Sequence, residues 1–178
     1  MHLKNRPDRF GAIAISLHWL MAILIIGLLA LGLYMTRLPV SLEKLRFYGW
    51  HKEFGLLVIG LVVLRFLWRM LNVQPKLELP RLEEFAARAV HWLLYILMVA
   101  MPLSGWMMSS AAGVPVSFFG LFVLPNPVMA NEMLRVRLQF VHLCIGYSLI
   151  ALISLHILAA LKHHFINRDR ILRRMLPW

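Results

Sequence analysis

Two histidines, His142 and His156, stand fourteen residues apart in the apolar run 141–164, VHLCIGYSLIALISLHILAALKHH. Neutral imidazole is the commonest side-chain ligand for a metal. On a helix, fourteen residues rise about 21 Å and bring the side chain back to within about 40° of its starting direction. Both rings therefore look out from nearly one face, close to opposite sides of a hydrocarbon core about 30 Å thick. A ligand-competent side chain in lipid is costly and marks a functional position. Two on one face at two depths imply two stacked cofactors.

The elements that position these residues are membrane spans. The chain has 178 residues, is 61% hydrophobic and has a mean hydropathy of +0.73, values that exclude an ordinary soluble core. Residues 11–36 carry no Asp, Glu, Lys or Arg. That run is too long for a cleaved signal peptide and reads as a retained first span. The expected fold is an all-α membrane protein, one four-helix transmembrane bundle over residues 1–178, with spans at about 11–36, 50–71, 89–110 and 138–164. The second span is uncharged only over 54–64, so Arg65 and Arg69 must snorkel or be paired. Between the spans the sequence predicts a loop over 37–49, a short surface helix from Pro80, and an interfacial apolar segment after Ala111. Pro102 predicts a kink in the third span. The tail from Phe165 reads as a basic surface helix or arm. The lone Cys144 has no partner for a disulfide.

The net charge of +11 does not point to nucleic acid, because basic residues flanking spans are what membrane topology demands. Thirteen Lys and Arg fall on the side of the termini and the second loop, Lys76 among them, against six on the other side. Both termini are therefore expected in the cytoplasm. The far side remains basic on balance and presents a positive field to an anion arriving from outside.

Depth pairs the histidines. His51 opens the second span and His142 the fourth, both on the outer side. On the inner side His156 can meet His18 or His91, and His18 is the better depth match to the flanking cations. A flat porphyrin also needs a small residue one turn from its ligand. His18 has Ala22 there, His51 has Gly55, His142 has Gly146 and His156 has Ala160, whereas His91 has Tyr95. Two imidazoles facing each other across an apolar gap suit haem iron held on both axial positions. Zinc calls for three or four ligands in a tetrahedron, and neither level supplies a carboxylate or thiolate. Arg65 follows His51 by fourteen residues, at the inner depth, where it can pair with a haem propionate. His163 is seven residues after His156, on the same face, and is a candidate contact for a quinone. His91 and His164 read as residues of the inner interface. Trp19, Trp50 and Trp92 read as interface anchors.

These residues resemble the bacterial cytochrome b561 family, which includes di-haem proteins that oxidise superoxide. The phrases that carry the resemblance are SLHW at 16–19, His51 with Gly55, the step from His142 to His156, and the tail KHHFINRDRILRRMLP at 162–177. The resemblance implies two b haems ligated by His18, His51, His142 and His156. It also implies residence in the bacterial inner membrane, with superoxide as donor outside and ubiquinone as acceptor inside. The fold is shared with cytochrome b subunits that anchor formate dehydrogenases and nickel–iron hydrogenases. An anchor taking electrons from a partner protein is therefore the alternative role, and a haem-free transporter or scaffold is the alternative of another class.

Overall fold

A computed structural model of the chain describes residues 2–75 and 79–176. Lys76, one of the cations used for orientation, lies outside the described residues, as does Pro177 at the end of the tail motif.

Helix α1 spans Ala12–Arg37 and stops where Pro39 holds the preceding Leu38 extended. Helix α2 spans Leu42–Leu71, α3 spans Arg81–Ala111 and α4 spans Glu132–Phe165. All four are long and apolar enough to cross a membrane. Helix α1 packs on α2, α2 on α3, and α3 on α4. A buried layer of Met21, Ile25, Val58 and Val62 fills the middle of the bundle, with Met98 and Ile153 packed against it.

Three boundaries differ from the sequence reading. The loop expected over 37–49 is only four residues long, because Ser41 caps α2 by accepting from the Lys44 N–H at 3.2 Å, with Glu43 in the first turn. The surface helix expected from Pro80 is the first part of α3 itself. Glu83 and Glu84 favour its N-terminus, an Arg88–Glu84 pair staples the next turn, and nothing breaks the helix before Ala111. Even Pro102 is accommodated within it. Asn131 likewise extends α4 upstream of the expected 138 by accepting from the Leu134 N–H at 2.9 Å.

Two short departures from helix occur at the bundle ends. Between α3 and α4, strands β1 (Ser117–Phe118) and β2 (Phe122–Val123) form an antiparallel hairpin, Ser117 opposite Val123 and Phe118 opposite Phe122. Gly120 takes the left-handed turn at φ 72°. The tail is not a continuous surface helix. It breaks after Phe165, passes through Arg168 at φ 54°, and ends in one 3-10 turn at Leu172–Met175. That turn is tied to the N-terminal segment: Trp19 Nε1 donates to the Met175 carbonyl at 2.8 Å, and Arg9 to that of Leu176 at 2.9 Å. Asn5 donates to the Val73 carbonyl at 2.9 Å. Both termini and the α2–α3 connection therefore share one end of the bundle, the terminal end. The α1–α2 connection and the hairpin share the other, the loop end, where Phe54 of α2 meets Phe119.

Candidate haem sites

The structure brings His51 of α2 and His142 of α4 together near the loop end, with ring centres 6.3 Å apart and planes at 74°. Nearer the terminal end, His18 of α1 and His156 of α4 stand 6.2 Å apart, also at 74°. A metal–nitrogen bond is about 2 Å and an imidazole nitrogen lies about 1 Å from its ring centre, so two axial imidazoles on one iron have centres about 6 Å apart. Both pairs fit that span. His91 of α3 also reaches His156, at 5.4 Å, which is shorter than the span. His91 is thus partly buried beside the terminal-end pair, not solvated at the interface. Its nearest flanking cation, Arg88, lies inside α3, which starts at Arg81, so His91 sits deeper than its distance from that cation implies. Among the described residues no three His, Cys, Asp or Glu gather into a metal-binding cluster.

The loop-end pair faces a cavity of about 530 Å³, within the range of cofactor pockets. Gly55 and Gly146 line it. A Cβ on Gly55 would meet nothing within 4 Å, so the open side of that turn is free for a flat plate. Two further glycines escaped the sequence reading because they lie on the opposing helices. A Cβ on Gly32 of α1 would stand 3.2 Å from Cε1 of His51, and one on Gly105 of α3 3.1 Å from Cε1 of His142. Each glycine makes room for the edge of an imidazole. No spacing rule within one helix could find them.

Ser104 was also missed. Its hydroxyl donates to the Met101 carbonyl at 2.7 Å, so its oxygen accepts from Nδ1 of His142 at 2.9 Å. The ring proton is thereby fixed on Nδ1 and the Nε2 lone pair is left for a metal. Nδ1 of His51 is buried and has no partner among the described residues.

At the terminal end Arg65 does not stand free. Its Nη1 lies 2.8 Å from Nδ1 of His18. Guanidinium only donates, so Nδ1 of His18 accepts and the ring proton sits on Nε2. His163 is buried by the returning tail. Its Nδ1 pairs with Asp169 Oδ2 at 2.5 Å and also meets Asn167, while Nε2 faces Glu83 Oε2 at 3.9 Å. His164 lies against Phe165, its Nδ1 buried without a partner. Trp50 and Trp92 are exposed on the bundle surface as interface anchors would be, whereas Trp19 also holds the tail.

Comparison with known proteins points to one family. The chain is 37% identical to Cytochrome b561 homolog 2 of Escherichia coli K12, over 99% of this chain and 95% of that protein. It is 31% identical to Cytochrome b561 homolog 1 of the same organism, over 96% and 98%. It is 28% identical to the probable superoxide oxidase CybB of Yersinia pestis, over 95% and 96%. The family model described as prokaryotic cytochrome b561 matches residues 9–178. On that coverage the chain belongs to the prokaryotic cytochrome b561 family: it is a multi-pass membrane protein that binds b-type haem and carries electrons across the membrane.

Proposed function

We propose that the chain holds two b haems, one between His51 and His142 and one between His18 and His156, and that it oxidises superoxide at the periplasmic face and reduces ubiquinone near the cytoplasmic face of the bacterial inner membrane. The observation that carries this reading is the pair of imidazole pairs of matching span, stacked along α4. Haems held between these imidazole pairs would supply one-electron carriage between the two levels.

The chain's own residues set the conditions. Ser104 keeps His142 in the tautomer that ligates through Nε2. Arg65, which donates to Nδ1 of His18, would with that neighbour help hold the terminal-end haem, His18 as a ligand and Arg65 as a partner for a propionate. The apolar layer of Met21, Ile25, Val58 and Val62 excludes water between the levels. The excess of Lys and Arg at the terminal end supports cytoplasmic termini. The loop end, still basic on balance, then faces outward and attracts a small anion. The name of the Yersinia relative supports superoxide as that anion. Two superoxide anions give two molecules of oxygen and two electrons. One quinone takes those electrons with two protons to become the quinol. His163, with Asp169 on one nitrogen and Glu83 facing the other, is the proton-holding group at the quinone end.

A pyridine haemochrome assay on purified protein tests the reading. Two haems per chain are expected, one fewer in each of His18→Ala, His51→Ala, His142→Ala and His156→Ala, and still two in His91→Ala. Loss of haem in His91→Ala but not His18→Ala would move the terminal-end site to His91. Superoxide pulses should reduce the haem faster at low salt. No reduction above the buffer background removes superoxide from the proposal.

A further inference from the structure

Lys52 stands one residue beyond His51 and lines the same cavity as both loop-end imidazoles. Among the described residues it makes no ion pair with a carboxylate. Its one hydrogen bond is to Ser109 Oγ of α3 at 3.4 Å, the long end of the range. The Ser109 hydroxyl donates elsewhere, to the Val114 carbonyl at 2.8 Å. The neighbouring Glu53 attracts it electrostatically but forms no ion pair with it, so the ammonium in this mostly apolar cavity is only partly compensated.

Arg135 of α4 also lines this cavity, but its charge is already matched. Glu132 accepts from two of its nitrogens at 2.6 and 2.7 Å, and Gln139 from a third at 2.9 Å. Lys52 is therefore the cation in this cavity that has no carboxylate in ion-pair contact among the described residues. Arg65 lies thirteen residues further along the same helix and contacts the terminal-end pair. Helix α2 thus brings one cation to each imidazole pair.

We infer that Lys52 binds a propionate carboxylate of the loop-end haem and holds that haem's reduction potential up. The inference rests on the assignment of His51 and His142 as axial ligands. A flexible, point-like ammonium suits the task, since its weak bond to Ser109 is easily exchanged for a carboxylate. With Lys52 neutralised, the propionate charge acts on the iron uncompensated and favours the ferric form. The potential then falls.

The test is a spectroelectrochemical titration of detergent-purified holoprotein carrying Lys52→Gln, Lys52→Met or Lys52→Arg, with haem content measured in parallel. The haem to follow is the one lost in His142→Ala. Its midpoint should fall in Lys52→Gln and Lys52→Met and stay near wild type in Lys52→Arg, the other haem being unmoved. Loss of that haem in the neutral variants but not in Lys52→Arg would support the same anchoring role. Unmoved midpoints with two haems bound would overturn the inference. So would loss of the haem in Lys52→Arg as well. Unmoved midpoints with slower reduction by superoxide would assign Lys52 to the incoming anion instead. Wild-type protein without a loop-end haem would be a failure of the axial-ligand assignment, not of Lys52.

Discussion

Removing the Ser104 hydroxyl should weaken one haem and leave the other as it was. Ser104 is 7% exposed, and its single hydroxyl hydrogen is committed to the Met101 carbonyl one turn back. The oxygen can therefore only accept from His142, and Nδ1 must be the protonated nitrogen. In Ser104→Ala that N–H loses its acceptor. A buried polar group left unsatisfied costs about 1–3 kcal/mol. Loss of the outer partner of a metal-bound histidine typically costs about 10–100-fold in affinity, about 1.4–2.8 kcal/mol at 1.4 kcal/mol per decade. The two routes agree in size. The ligand also becomes less basic, so it donates less to ferric iron and the potential of that haem rises.

The measurement is the rate of haem transfer from purified protein to an excess of a haem-scavenging globin, followed spectrally. One of two phases should quicken by about 10–100-fold. It should be the phase missing in His142→Ala. Ser104→Thr keeps a hydroxyl and should behave as wild type. Two unchanged phases in Ser104→Ala would refute the reasoning about the tautomer. Equal acceleration of both would mean that the substitution loosens the bundle generally.

Gly32→Ala and Gly105→Ala place a methyl against the edge of His51 or His142, closer than an ordinary contact. Each should cost about 1–3 kcal/mol by overpacking. The cost should appear as a lower melting temperature with a perturbed loop-end haem spectrum, while Gly60→Ala, with nothing within 4 Å, should change neither. Asp169→Asn removes the carboxylate charge paired with His163. Quinol formation, followed by chromatography, should slow with haem content and superoxide-driven haem reduction unchanged, and unchanged quinol formation would remove His163 from the quinone step.

Much of this arrangement was legible because a single period governs it. Fourteen residues nearly complete four helical turns, so the stacking of His142 over His156 follows from one helix alone. Partners on other helices could be reached only through depth, and depth was judged from flanking charges. For His51, whose competitors all lie at the other end, depth leads to the neighbour that the structure places beside it, His142. It misjudged His91, because Arg88 lies inside α3 and not at its edge. Ser104, Gly32 and Gly105 were invisible for a different reason: they touch the imidazoles from neighbouring helices, and helix rotation is not written in hydropathy. The fold-back of the tail is a third kind of miss. A basic amphipathic pattern suits a surface helix, but hydrogen bonds from Arg9 and Trp19 to the Leu176 and Met175 carbonyls hold the tail in one 3-10 turn.

The position of α4 joins the cofactor sites to the stability of the bundle. It supplies one imidazole to each pair, yet among the helices it packs closely only on α3. The partner imidazoles come from α1 and α2, a second packed pair joined to the α3–α4 half through α2 and α3. Between these two halves lie the histidine pairs and a thin apolar layer in which Ile153 meets the Met21–Val62 cluster. Lipid tails are as apolar as Leu, so no hydrophobic force drives the halves together, and close packing and polar contacts must do it. Where the halves do not pack, an iron held by the proposed imidazole pairs would supply the missing connection. A ligand that binds only the assembled form stabilises it by mass action. Under the proposed assignment each site would draw its ligands from both halves, so haem binding and helix association would be one equilibrium, an effect that a haem ligated only from α4 would not have.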